Sequence, residues 1–234
     1  MSANHAAFNL IFRFVENYIS PIAGRISSQR HVMAIRDGFI SAMPFMIVGS
    51  FLLVFAYPPF SPDTTWGFAR AWLDLAKEFE GRILTPFDMT MGIMSIYICA
   101  AISYNLGKHY EKSNQLDPFM CAMLSIMAFL LIAAPKTNGT LPVDSLGGTG
   151  IFTAILVAIY CVEMMRFLKA HNIGIRLPDQ VPPMIKNSFD LLIPVLVVVL
   201  TLYPLSLFIQ HHFDMLIPQA IMAIFKPLVS AADS

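Results

Sequence analysis

Glu163 is the residue in this sequence whose placement asks most directly for a chemical role. It is the one acidic residue in a run of about twenty apolar ones, Thr149 to Leu168, and a carboxylate inside such a run is costly enough to be a functional hypothesis by default. A proton or substrate site is one reading. The other is a paired residue snorkelling at the edge of the run, and it is favoured because Arg166 follows three residues on, the spacing of an ion pair on one helix face. The other candidates are weaker. Met89, Met91, Met94 and Cys99 offer soft sulfur of the kind that suits Cu(I). Methionine occurs fifteen times in the chain, however, and its flexible side chain fills gaps between helices.

The six histidines, His5, His31, His109, His171, His211 and His212, are scattered through positions outside the apolar runs and read as surface residues. Neighbours on a helix point about 100° apart, so His211 and His212 make a poor chelating unit. Cys99, Cys121 and Cys161 all lie inside apolar runs and are too few for a disulfide framework or a zinc site. Gly147-Gly148-Thr149-Gly150 has the composition of a phosphate loop but lacks its Lys and preceding strand, and reads as a flexible loop. Asn138-Gly139-Thr140 matches the short glycosylation pattern. No catalytic, substrate-binding, cofactor or metal residue is therefore expected in this chain.

The elements that must position these residues follow from composition. In 234 residues, 56% are hydrophobic and 13% charged, against about 45 to 50% and 25% in soluble domains. Mean hydropathy is +0.65. Lipid is the expected solvent, and the even balance of fifteen basic and fifteen acidic residues argues against a nucleic-acid partner. A bilayer core about 30 Å thick takes about 20 apolar helical residues. Five runs qualify: Gly38 to Tyr57, Met89 to Gly107, Pro118 to Pro135, Thr149 to Leu168 and Leu191 to Ile209. Pro44, Pro194 and Pro204 fall inside them and predict kinks. The expected fold is an all-α integral membrane protein with an N-terminal segment over 1–36, a five-helix membrane domain over 37–209 and an amphipathic segment over 210–234.

Three further stretches have one apolar face at helical spacing: Phe8 to Ile19, Trp66 to Ile83 and Phe213 to Leu228. Each is either an interfacial helix lying along the membrane or a helix packed on neighbouring protein. Tyr57 to Thr65, Lys136 to Gly150 and Leu177 to Pro183 are linkers by their Pro, Gly and small polar content. Lys and Arg concentrate before the first run, after the second and after the fourth, so that ten of the fifteen fall on one side. That bias predicts a cytoplasmic N-terminus and, with five spans, an outer C-terminus.

Two stretches resemble a known family. His31 to Gly49 (HVMAIRDGFISAMPFMIVG) resembles the approach to the first membrane helix of enzyme IIC, the sugar permease subunit of the bacterial phosphotransferase system, in its lactose, cellobiose and chitobiose branch. Arg176 to Pro194 (RLPDQVPPMIKNSFDLLIP) is similar to that family's Leu-Pro-Asp-x-Val-Pro linker and the start of its fifth helix. Gly92 to Ser95 (GIMS) and Leu124 to Phe129 (LSIMAF) keep the same order between them.

The resemblance implies a multi-pass protein of the bacterial inner membrane and the scaffold and dimerisation half of a ten-helix fold. It implies transport of a β-linked disaccharide, phosphorylated by a partner enzyme IIB that works with enzyme IIA. It further implies that the sugar-contacting His and Glu belong to Gly-Ile-His-Gly and Asn-Glu-Pro motifs in the second half. Neither motif occurs in these 234 residues, although Phe225 to Ser230 (FKPLVS) resembles the segment upstream of the first. The expectation is a chain interrupted before its sugar site, a homodimer that would bind disaccharide only with the missing half supplied. Two other classes stay open: a membrane interaction protein that pairs with and regulates a complete permease, and a small channel that uses Glu163.

Overall fold

The computed structural model describes residues 27–135, 139–175 and 189–232, together with positions 24, 178, 180, 182 and 185; side chains are described as far as residue 226. Seven α-helices follow one another within these residues: α1 (Arg30–Ala56), α2 (Gly67–Asp88), α3 (Met94–Asn114), α4 (Pro118–Ala133), α5 (Ile151–Ala170), α6 (Leu192–Phe213) and α7 (Ile217–Ala232). A 3-10 turn at Gly148–Gly150 leads into α5. Each of the five apolar runs lies largely within a helix. Among the described residues, three helices are long and apolar enough to cross a membrane by length and composition: Arg30–Ala56, Gly148–Ala170 with its leading turn, and Leu192–Phe213. The predicted helix over Phe8 to Ile19, the glycosylation pattern at Asn138 and most of the Leu177 to Pro183 linker lie outside the described residues.

Helix α3 is the centre of the bundle, packed against α1, α4 and α5. Its buried residues, Ser95, Ile98, Cys99, Ile102, Ser103, Leu106, Gly107 and Tyr110, recur every three or four positions and form a continuous inward stripe. The second apolar run begins at Met89, yet the helix begins five residues later. Residues 89–93 form turns in which Thr90 Oγ1 donates back to the Pro86 carbonyl at 2.8 Å. The backbone N–H of Ser95 then donates to the Leu146 carbonyl at 2.9 Å, and its hydroxyl donates to the Gly147 carbonyl. The loop before α5 thereby caps the start of α3, supplying partners that the helix itself leaves wanting. The glycine-rich stretch is thus a packed turn and not the loose loop expected from its composition: a Cβ on Gly150 would run into the Ser145 carbonyl oxygen.

Helix α4 starts where Pro118 occupies the first turn and the Asp117 carboxylate accepts from the Phe119 and Met120 N–H groups, at 2.8 and 3.2 Å. Helix α3 closes on Gln115 and α6 on Asp214, each in the left-handed region, with φ of 53° and 50°. Pro44 and Pro204 do lie inside α1 and α6. Pro194 does not belong with them, because it falls in the first turn of α6, where a missing N–H breaks no intrahelical bond.

Packing is inverted relative to a water-soluble bundle. Helix α1 buries Ala34, Gly38, Ala42, Gly49 and Ala56 while exposing Ile40, Phe45, Val48, Phe51 and Phe55. Small residues face the protein and large apolar residues face outward, which is the arrangement that lets membrane helices approach closely. Only 17% of the apolar window of α1 and of α6 is buried, against 44% for α5. The first two are peripheral and the last is central. The three cysteines are free and buried in α3, α4 and α5.

Gly38 is where α1 and α3 come closest. A Cβ there would meet the Ile102 side chain and lie 2.9 Å from its backbone nitrogen, so the helix itself must move. Gly38→Ala should therefore destabilise the bundle by about 1 to 3 kcal/mol, the usual range for overpacking. Gly81→Ala in α2 meets nothing within 4 Å and should be neutral or stabilising by up to about 1 kcal/mol. Thermal unfolding of both variants in detergent compares the two sites directly.

Candidate functional site

Glu163 proves to be the meeting point of three helices. One carboxylate oxygen, Oε2, accepts from Arg166 Nη1 at 2.7 Å within α5, so the ion pair expected from spacing is present. The other, Oε1, accepts from the Tyr110 hydroxyl of α3 at 2.8 Å and lies 2.9 Å from His31 Nε2 at the start of α1. Arg166 Nη1 also donates to the Tyr110 oxygen at 2.8 Å. The phenol is thus donor to the carboxylate and acceptor from the guanidinium. Two cations flank its ring, the Arg166 guanidinium at 4.7 Å and the Arg30 guanidinium at 5.4 Å from the centroid, both within the range of a cation–π attraction.

Local sequence explains how each group arrives. Tyr110 continues the inward stripe of α3 one turn beyond Gly107, past the end of the apolar run. Its hydroxyl therefore reaches a partly wet layer where a carboxylate is tolerable. His31 belongs to the first turn of α1 and is held between the ends of α3 and α5, which corrects the surface reading of that histidine. The side chains of His31 and Glu163 remain 38% and 31% exposed, so the cluster is half-solvated and its charges are partly screened.

Both oxygens of Glu163 are engaged by donors from three helices. That geometry fits a clasp that ties helix ends together better than a carboxylate left free to pick up and release a cargo ion. One turn further along α5, Lys169 Nζ donates to the Gln115 carbonyl at 2.6 Å and pairs with Asp190 at 3.4 Å. These residues border a cavity of about 390 Å³ between the ends of α3 and α5 and the start of α6, lined also by Asn114, Asn172 and Pro194.

The remaining candidates do not join this cluster. His109, His171, His211 and His212 are exposed. The rings of His211 and His212 are nearly perpendicular, at 84°, as expected of neighbours on a helix. His5 lies outside the described residues. Met89 is exposed in the turn before α3, whereas Cys99 is buried in α3 beneath the Ser125 carbonyl. Sequence reasoning missed His31 and Tyr110 as partners of Glu163. The signal for Tyr110 was available, since it keeps the register of the α3 stripe. Nothing local marks His31, which is 132 residues away from Glu163 in the chain.

Comparisons with known proteins agree on one family. The family model described as "Phosphotransferase system, EIIC" matches residues 36–232. The cellobiose-specific EIIC component of Geobacillus stearothermophilus is 35% identical over 206 residues, covering 80% of this chain and 43% of that protein. The lactose-specific EIICB component of Streptococcus mutans is 33% identical over 219 residues, covering 91% of this chain and 37% of that protein. Among solved structures, the crystal structure of the transporter ChbC, the IIC component of the N,N'-diacetylchitobiose-specific phosphotransferase system, aligns with a TM-score of 0.77 and 31% identity. The alignment covers 94% of this chain and 52% of that one. The chain thus spans about half the length of these relatives, or less.

The clasp makes a measurable claim. Removing one partner of a charged hydrogen bond costs about 1.5 to 3 kcal/mol when buried, and partial exposure here lowers the expectation to roughly 1 to 2 kcal/mol for Glu163→Ala. His31→Ala should cost less. A double-mutant cycle on the two, read by thermal unfolding in detergent, should give a coupling of about 0.5 to 1.5 kcal/mol, as expected for residues in direct contact. Additive losses would mean that the contact between α1 and α5 contributes nothing.

Proposed function

The chain belongs to the phosphotransferase system EIIC family, and we propose that it forms the scaffold and dimerisation part of a membrane permease for a β-linked disaccharide of the cellobiose, chitobiose or lactose type. In this reading the sugar is handed to a partner enzyme IIB and phosphorylated as it enters, with enzyme IIA supplying the phosphoryl group. The observation that carries the reading is the alignment of 94% of this chain with just over half of a diacetylchitobiose-system IIC component. A IIB partner is supported by the relatives named EIICB, in which the two components share one name.

The five helices α1, α3, α4, α5 and α6 are the spans in this proposal. Helix α4 has 16 residues, at about 1.5 Å of rise each, and is short for a crossing. Its apolar sequence and position at the centre of the bundle support a span whose ends are completed by neighbouring loops. With the N-terminus cytoplasmic, the Glu163 clasp lies on the cytoplasmic side. The part described here would then contribute no sugar ligand, consistent with the lack of both sugar-contacting motifs among its residues.

Two experiments test this. The purified 234-residue chain should dimerise in detergent and bind no labelled cellobiose, diacetylchitobiose or lactose saturably; saturable binding of any of them would overturn the scaffold reading. For orientation, Lys112→Cys, just beyond the inward stripe of α3, should react with a membrane-impermeant maleimide in inverted vesicles and not in intact cells. The three native cysteines are buried and should contribute little background.

A further inference from the structure

Helix α2 has three faces that no single uniform solvent satisfies. Ala69 and Ala76 are buried and look toward α1, against which α2 mainly packs. Phe68 and Leu75, each one residue before an alanine of that pair, are 60% and 56% exposed. Arg70, Asp74, Lys77 and Glu78 are exposed on the remaining arc. Water would leave the apolar face uncompensated, and hydrocarbon would do the same to four charges. A boundary between the two accommodates all three faces at once.

The aromatic residues mark where that boundary lies. Trp66 and Trp72 are the two tryptophans of the chain. They join Phe55, Phe60 and Phe68 in one network whose ring centroids lie 5.5 to 5.9 Å apart. The Trp72 indole N–H donates to the Phe55 carbonyl at 3.2 Å, and the Tyr57 hydroxyl donates to Glu80 at 2.8 Å. Both links fasten α2 to the last turn of α1, where the charge-free run that began at Gly38 ends. Twenty helical residues span about 30 Å, the thickness of the hydrocarbon core. The network therefore lies one bilayer thickness from the charged start of α1, at the depth where amphipathic indole rings concentrate.

We propose that the Phe55, Phe60, Trp66, Phe68 and Trp72 cluster is a lipid-binding anchor that seats in the carbonyl and headgroup layer of the bilayer and holds α2 along the membrane surface. Lipid is favoured over a protein partner because the exposed apolar face is continuous, through the Phe55–Trp72 contact, with the outward face of α1 at Phe51, Val54 and Phe55, the side that meets acyl chains in the spanning arrangement proposed above. The charged arc beside it reaches water in the same arrangement. The anchor fixes the depth of α1 and, through it, of the close contact with α3.

Tryptophan fluorescence tests the proposal without interference, since all indole emission arises from this cluster. The full chain is reconstituted into phosphatidylcholine vesicles, with lipid brominated either near the glycerol end or near the methyl end of the acyl chain. Expected are blue-shifted emission, strong quenching by the glycerol-end bromines, weaker quenching by the methyl-end bromines and little quenching by aqueous iodide. Trp66→Phe and Trp72→Phe each leave a single reporter and should retain that order. Stronger quenching by methyl-end bromines would place the cluster in the hydrocarbon, and dominant iodide quenching would place it in water. Protection from both quenchers would mean that a second copy or another protein covers it. Each of these three results overturns the proposal, and none depends on whether the protein moves sugar.

Discussion

Close approach of helix backbones is the constraint on which the structure depends. In lipid, a large apolar side chain gains little by turning inward, because acyl chains are as apolar as the protein interior; packing and hydrogen bonds have to hold the helices together. Helix α1 accordingly turns Ala34, Gly38 and Ala42 toward α3, and the absence of a Cβ at Gly38 lets Ile102 and its backbone fill the contact. The stripe of small and medium residues on α3 accepts α1, α4 and α5 on three sides. Everything else in the bundle, including the wide outward display of Phe, Leu and Ile on α1 and α6, follows from reserving the interior for residues that permit short distances.

Polar groups are placed where that packing can tolerate them. Within the bundle, Ser103 turns its hydroxyl back on its own helix, to the Cys99 carbonyl at 2.6 Å, while the Tyr160 and Thr201 hydroxyls pair between α5 and α6. The strong electrostatics are confined to the half-solvated layer at the start of α1, where Glu163 collects Arg166, Tyr110 and His31. At the opposite end of α1 the aromatic network and the Tyr57–Glu80 bond do the comparable work for α2. The two polar layers bracket α1 and are separated by about the thickness of a bilayer core. A bundle held at both rims and packed on small residues between them resists relative movement of its helices.

Much of the architecture was legible beforehand, for a physical reason that can be seen in individual runs. Gly38 to Tyr57 and Leu191 to Ile209 are helical because a charge-free stretch of that length has to satisfy its backbone internally once it enters lipid. The Arg166 partner of Glu163 was legible for the same reason that any i,i+3 pair is, since helical periodicity alone fixes the neighbours. The start of α3 was not. Its position is set by the Leu146 and Gly147 carbonyls, more than fifty residues along the chain, and no local propensity at Met89 encodes that capping. Pro194 is the converse case: the apolar run alone predicts a kink there, whereas the effect of the proline depends on where the helix begins.

The sequence by itself determined that the chain is helical, that lipid is the solvent for much of it, and that it carries the motifs of a phosphotransferase permease. These properties follow from composition, from periodicity along one helix and from short collinear motifs, all of which are local in the chain. Only the tertiary structure decided which histidine and which phenol meet the one carboxylate within an apolar run, that the glycine-rich loop caps α3, and that both tryptophans gather at the far end of α1. Each of those is a contact between residues distant in sequence. Its energy depends on the separation and solvation of two groups after the helices have packed, and neither quantity exists until they have.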